Sequence, residues 1–249
     1  MMQQDISRVA DRLEPGSPIG SVRRGLRIAG IAGLVIWLAL HVALFGKVSP
    51  IHWMPGLIVL LGGLAVIDRL MPSRYPHDAF GACNAVTLIR GVLAVALVTP
   101  LVAGTPQSWA VFAVAFVAVL LDGVDGRLAR QSGLVSGFGA RFDMETDSFL
   151  ALVLALHALA DGLAWPLAMI LGASRFIFLG AAMLAPWLGR PLPQRFGRKV
   201  VCVFQLSVLV ALQAPPVSGW PAVWLAAAAA TAVLASFGRD IVWLWTQPR

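Results

Sequence analysis

Residues Asp122–Asp147 read D-G-V-D-G-R-L-A-R-Q-S-G-L-V-S-G-F-G-A-R-F-D-M-E-T-D. Five of the chain's 12 acidic residues fall in this one stretch. Asp122 and Asp125 stand three apart and Asp143 and Asp147 four apart, so each pair shares one face of a helix. Glu145 falls two residues after Asp143 and points elsewhere. The connector Gln131–Ala140 holds Gly133, Gly137 and Gly139 and suits a tight reversal that sets two helix ends side by side. Four carboxylates facing one another at low dielectric repel strongly, and oxygen-ligated divalent cations relieve that repulsion.

The surroundings of this stretch are apolar. The chain has 249 residues, of which 59% are hydrophobic and 12% charged, with a mean hydropathy of +0.81. Soluble domains carry about 25% charged residues, so the composition defines an all-α integral membrane protein. The net charge of +7 comes from basic residues crowding loops on one side of the bilayer, and nucleic acid is not an expected partner. Cys83 and Cys202 lie far apart with no metal-ligand spacing and read as small buried hydrophobes.

Eight apolar segments are expected, at about 28–45, 51–67, 82–102, 109–121, 143–160, 163–188, 200–212 and 220–237. The second is short and carries Pro55 and Gly62-Gly63. Under this layout 17 of the 19 basic residues fall on one side, Lys47 falls on the other, and Arg175 lies inside a span. The bias puts both termini and the carboxylate cluster in the cytoplasm. Residues 1–25 read as a cytoplasmic lead-in whose Ile6, Val9 and Leu13 suit an interfacial helix.

Small residues flank the acids. Gly123, Gly126 and Ala129 follow one another at intervals of three and leave a face that a bulky group can approach closely. Arg130 adds a phosphate-binding fork. Cation ligands, a smooth face and a phosphate clamp together point to a nucleotide diphosphate.

The pattern D-x2-D-G-x2-A-R-x8-G-x3-D-x3-D, formed by Asp122, Asp125, Gly126, Ala129, Arg130, Gly139, Asp143 and Asp147, resembles the signature of the CDP-alcohol phosphotransferase family. Asn84, Thr87 and Arg90 match the Asn-x-x-Thr-x-x-Arg that often opens the family's first core span. The resemblance covers about Gly81–Phe237. It implies a six-helix catalytic core at 81–249, with two extra transmembrane helices at 26–80 lying outside it. It also implies attack of an acceptor hydroxyl on the β-phosphate of a CDP-linked alcohol, most often CDP-diacylglycerol, with release of CMP.

Asp122, Asp125, Asp143 and Asp147 are the expected ligands of Mg²⁺ or Mn²⁺ in a two-metal site, with Asp147 also the expected general base. Asn84, Thr87, Arg90, Gly123, Gly126, Ala129, Arg130 and Gly139 are the expected donor-binding residues. Arg175, costly in mid-span, and Arg195, Arg198 and Lys199 are the candidate contacts to the acceptor. F-D-M-E-T-D departs from the L-D-P-x-x-D form common in glycerophosphate-type members, so the acceptor stays open. The expected setting is a bacterial inner membrane. A homodimer is implied by the resemblance, and the run Ala226–Ala230 suits close helix packing. A polytopic cation transporter would show internal repeats, and an intramembrane prenyltransferase a second Asp-rich motif; neither is visible.

Overall fold

A chain this apolar has to satisfy its backbone hydrogen bonds within each segment when no water is present, and helices do so. The computed structural model describes residues 18–45, 49–105, 107–190 and 196–246, and these form helices and turns without a strand. The helices are α1 (Pro18–Leu44), α2 (Met54–Arg74), α3 (Gly81–Ala96), α4 (Val98–Val102), α5 (Trp109–Ser132), α6 (Gly137–Ala160), α7 (Trp165–Leu184), α8 (Phe196–Ala211) and α9 (Gly219–Thr246). Short 3₁₀ turns stand at Pro50–Trp53 and Pro186–Gly189. The expected interfacial helix before residue 18 lies outside the described residues.

Among the described residues, six segments are long and apolar enough to cross a membrane: Gly20–Leu44, Pro50–Met71, Gly81–Val102, Trp109–Ser132, Trp165–Leu184 and Gly219–Thr246. Two of the eight expected spans fall short for physical reasons. Helix α6 has 24 residues, but its first half carries Arg141, Asp143, Glu145 and Asp147. Helix α8 has 16 described residues, or roughly 24 Å at 1.5 Å per residue, against a hydrocarbon core of about 30 Å.

The chain forms two compact units. The first comprises residues 1–99 and 117–146. In it α1 and α2 both pack on α3. Glycines on α1 make the approach close: a Cβ on Gly25 would lie 2.7 Å from Phe80, and one on Gly33 would lie 2.9 Å from Val92. Val22, Leu26, Met71, Phe80 and Leu88 form a buried cluster, with Phe138 and Phe142 of α6 against it. Arg23 pairs with Asp68 at 3.3 Å, and the Ser21 hydroxyl donates to the Asp78 carbonyl. His41, fully buried, is a satisfied core histidine, 2.7 Å from both the Trp37 carbonyl and the Thr99 hydroxyl.

The second unit comprises residues 100–116 and 147–249. Helix α9 packs along α7 and α8. The Gln213 amide nitrogen donates to the carbonyls of Leu154 (3.1 Å) and Leu209 (2.9 Å), joining α6 to the end of α8. Ala226, Ala229 and Ala230 are buried against the chain's own helices, so most of the alanine run serves internal packing. Gly172 of α7 meets α6 so closely that a Cβ there would lie 2.6 Å from Ala155 and 3.3 Å from the Leu152 backbone. Gly172→Leu is therefore expected to cost about 1–3 kcal/mol by overpacking, read as a lowered melting temperature of the detergent-solubilised protein.

Candidate active site

The reversal between α5 and α6 is built from two local devices. Gly133 ends α5 with φ +69°, a left-handed conformation that a Cβ would oppose. Ser136 then caps α6: its hydroxyl accepts from the Gly139 amide at 3.0 Å. Of the three glycines expected in the loop, Gly137 and Gly139 are instead in the first turn of α6. Gly81, φ +75°, opens α3 directly beneath this turn, where a Cβ would collide with Leu134.

The side chain that organises the acids is Arg90, with 1% of its surface exposed. Its Nη2 lies 3.0 Å from Asp122. Its Nη1 lies 2.7 Å from Asp125 and 2.5 Å from Asp143. Its Nε donates to the Ala118 carbonyl at 3.2 Å. One fork on α3 thus joins carboxylates of α5 and α6. Thr87, one turn earlier, adds its hydroxyl 3.0 Å from Asp125. Expected as a donor-phosphate contact, Arg90 is committed to carboxylates among the described residues.

Asp122, Asp143 and Asp147, each half-buried, offer oxygens that lie within 4.8 Å of one another. Asp147 follows Asp143 by one turn of the same helix and is the first residue of the second unit. Two carboxylate oxygens no more than 4.8 Å apart repel by at least about 3 kcal/mol at an effective dielectric near 20. One guanidinium offsets only part of this. Hard oxygen donors with surplus negative charge fit Mg²⁺ or Mn²⁺. Asp125, buried and holding Thr87 and Arg90 on one oxygen, is not in the 4.8 Å group. Glu145 is exposed on the far side of the helix.

A cavity of about 320 Å³ opens beside these acids. Asn84, Thr87, Asp125, Gly126, Ala129, Arg130, Gly139 and Asp143 line it, together with Cys83, Leu134, Val135, Ser136 and Ala140. Gly123 is exposed and is not part of this wall. Arg130 folds back over Gly126, its Nη1 3.5 Å from where a Cβ would stand. Asn84 is held from behind by Tyr75, whose hydroxyl donates to the Ala79 carbonyl at 2.9 Å and accepts from the Asn84 amide at 2.9 Å. Burial pushes the Tyr75 phenol above its usual range, and the nearby Cys83 adds to the push, outweighing the Asn84 hydrogen bond. The hydroxyl therefore stays protonated and able to donate.

The candidate acceptor residues lie in the second unit. Arg175 is half-buried midway along α7. Arg198, at the start of α8, pairs with Asp240 at 3.3 Å, and Lys199 beside it is exposed. Arg195 lies outside the described residues.

Compared with known proteins, residues 80–234 match the CDP-alcohol phosphatidyltransferase family profile, well over half of the 249-residue chain. No curated protein and no solved structure matches. The chain belongs to the CDP-alcohol phosphatidyltransferase family. Its members transfer a phosphatidyl group from a CDP-alcohol in the membrane and are generally dependent on divalent metal.

Two residues with a place in these sites carry no sequence signal. Tyr75 precedes the family stretch, and Asp240, which reads as a lone acid, is buried against Arg198. Only the packing of α2 near α3, and of α9 along α8, gives them partners.

Breaking a buried ion pair by removing one partner costs about 3–5 kcal/mol. Arg90→Met should lose stability of that order, read as a lower metal-free melting temperature of the solubilised protein, and added Mg²⁺ should recover more of the loss than it adds to wild type. Arg90→Lys should restore only part, because an ammonium has no fork to span two helices.

Proposed function

We propose that this protein transfers phosphatidyl from CDP-diacylglycerol to an acceptor alcohol and releases CMP, and that Asp122, Asp125, Asp143 and Asp147 would hold Mg²⁺ or Mn²⁺. The observation that carries this reading is the conjunction of that oxygen cluster with a nucleotide-sized cavity whose wall includes Asp125, Asp143 and Arg130. When bound, the cations neutralise charge on the diphosphate and polarise the acceptor hydroxyl.

The chain's own residues do the rest. Gly126, Ala129 and Gly139 leave room for the nucleotide, and Arg130 meets its phosphates. Asn84 and Thr87 stand along α3, with Arg90 holding the carboxylates in register. Gly123, on the open side of α5, serves the approach of the donor. Asp147 accepts the proton of the acceptor hydroxyl as its oxygen bonds to the β-phosphorus. The bond from that phosphorus to the bridging oxygen breaks, and CMP leaves with the electron pair. Positioning and charge neutralisation dominate such a transfer.

In this reading 81–249 is the catalytic core, 26–80 an N-terminal helix pair bracing α3, and 1–25 a cytoplasmic lead-in. The core has six spans, with α6 and α8 crossing as partners of longer neighbours, for eight in all. The excess of Arg on one side supports a cytoplasmic site and cytoplasmic termini in a bacterial inner membrane. Arg175, Arg195, Arg198 and Lys199 are the candidate acceptor contacts, and their charge favours an anionic acceptor. The homodimer rests on family resemblance.

The test is CMP release by purified protein with Mg²⁺ or Mn²⁺, CDP-diacylglycerol and a panel of phosphorylated and unphosphorylated alcohols. No release with any acceptor, or with any other CDP-alcohol, would sink the reading. Asp147→Asn should lower CMP release by about 10²–10⁴-fold while metal-dependent donor binding survives. A fully active mutant would remove Asp147 from the base role.

A further inference from the structure

Beyond the C-terminal end of α6, three connectors of the second unit meet at Gln107. Gln107 stands between α4 and α5. Its backbone N–H donates to the Asp161 carboxylate at 3.3 Å, in the turn after α6. Its side-chain nitrogen donates to the carbonyls of Leu212 (2.6 Å) and Val217 (3.4 Å), between α8 and α9. These residues border a cavity of about 360 Å³. It is remote from the carboxylate cluster: Asp161 comes fourteen residues after Asp147, about 20 Å along the helix axis.

The lining holds an anion without a counter-ion. Asp161 has no Lys or Arg partner among the described residues. Burial pushes its carboxyl above the usual range, and the Gln107 amide and His157 pull it back only in part. Both Gln107 amide hydrogens go to carbonyls, so its Oε1 is a second acceptor, with no donor among the described residues. Gly219 and Trp220, the first residues of α9, line the same cavity, and a helix start carries unpaired N–H groups and partial positive charge. The setting is a membrane boundary. Trp109, Trp165 and Trp220 stand at the starts of α5, α7 and α9 and are 59%, 67% and 74% exposed. Indoles at helix ends mark the headgroup layer, and Trp220 brings the cavity mouth to that layer. Leu163, Leu212 and Val223 supply an apolar wall.

We propose that this cavity binds the headgroup of a membrane phospholipid bearing a primary ammonium, with Asp161 as its counter-charge, Gln107 Oε1 as a second acceptor and the start of α9 receiving its phosphate. The Trp220 ring attracts any cation, whereas two acceptors favour a cation with N–H donors. A primary ammonium carries three such donors and a quaternary ammonium none. Phosphate at a helix N-terminus uses the unpaired amides there. The headgroup thereby answers both charges of the cavity, and its glycerol and acyl chains continue into the bilayer past the apolar wall. Because the ligand sits where three connectors meet, its binding stabilises the folded protein by mass action.

The experiment titrates the full-length, delipidated protein in detergent and reads binding by native mass spectrometry. EDTA is present throughout, to keep divalent cations off every carboxylate. The probes are short-chain phosphatidylethanolamine, phosphatidylcholine and phosphatidylglycerol, with water-soluble glycerophosphoethanolamine as the fourth. Wild type should bind phosphatidylethanolamine about 10–100-fold more tightly than either other lipid, the worth of a charge-assisted hydrogen bond. Asp161→Asn keeps an oxygen for the Gln107 amide but loses the charge, so the fold is retained. It should weaken phosphatidylethanolamine by about 10-fold and bring the three lipids within about 3-fold of one another. Wild type binding phosphatidylcholine or phosphatidylglycerol as tightly as phosphatidylethanolamine would overturn the proposal, as would Asp161→Asn keeping the full preference. Glycerophosphoethanolamine binding as tightly as the lipid would assign the cavity to a soluble ammonium compound and overturn the membrane source. CMP release enters none of these readings, so the proposed function stands or falls separately.

Discussion

The arrangement around the acids depends on a single constraint: carboxylates from two helices have to be held near one another without metal doing all the work. Arg90 meets it. Its guanidinium reaches Asp122, Asp125 and Asp143 at once, and its Nε is anchored on the Ala118 carbonyl. A buried cation this well paired is tolerable only because each of its neighbours is an anion or a carbonyl. The same contact aligns α3 with α5 and α6, so the opening beside it is bounded by all three helices. A surplus of negative charge remains after Arg90 is counted, which is why divalent cations still fit.

The N-terminal helices acquire a role from that dependence. Helices α1 and α2 press on α3 through Gly25, Gly33 and the Val22–Leu88 cluster. The Tyr75 hydroxyl, just past α2, holds Asn84. Anything that shifts α3 moves Asn84, Thr87 and Arg90 together, since they lie on one face at three-residue spacing. The helix pair outside the family stretch therefore braces the helix from which the site is organised.

Much of this is legible in the chain. The all-helical membrane architecture follows from apolar segments without polar relief, and the carboxylate faces follow from spacings of three and four. Other features are not. Nothing local distinguishes Gly133, which bends the chain, from Gly137 and Gly139, which are helical; the Ser136 cap decides it. Spacing also gives α6 and α8 no mark that separates them from the longer spans, because it is their charge content and length together that set them apart.

Residue identity and periodicity are sufficient for helices, for the acidic faces and for the family, because each depends on neighbours within a turn or two. The partner of each polar group is another matter. Arg90 reads as a phosphate contact along its own helix, yet it faces three acids that are 32 to 53 residues away. Asp240 reads as solitary, yet it is buried against Arg198. The Asn84 amide nitrogen donates to the Phe80 carbonyl and to a tyrosine hydroxyl nine residues upstream across a turn. Which way a donor points is settled by the lowest-energy pairing of buried polar groups, and that pairing exists only once the helices have packed.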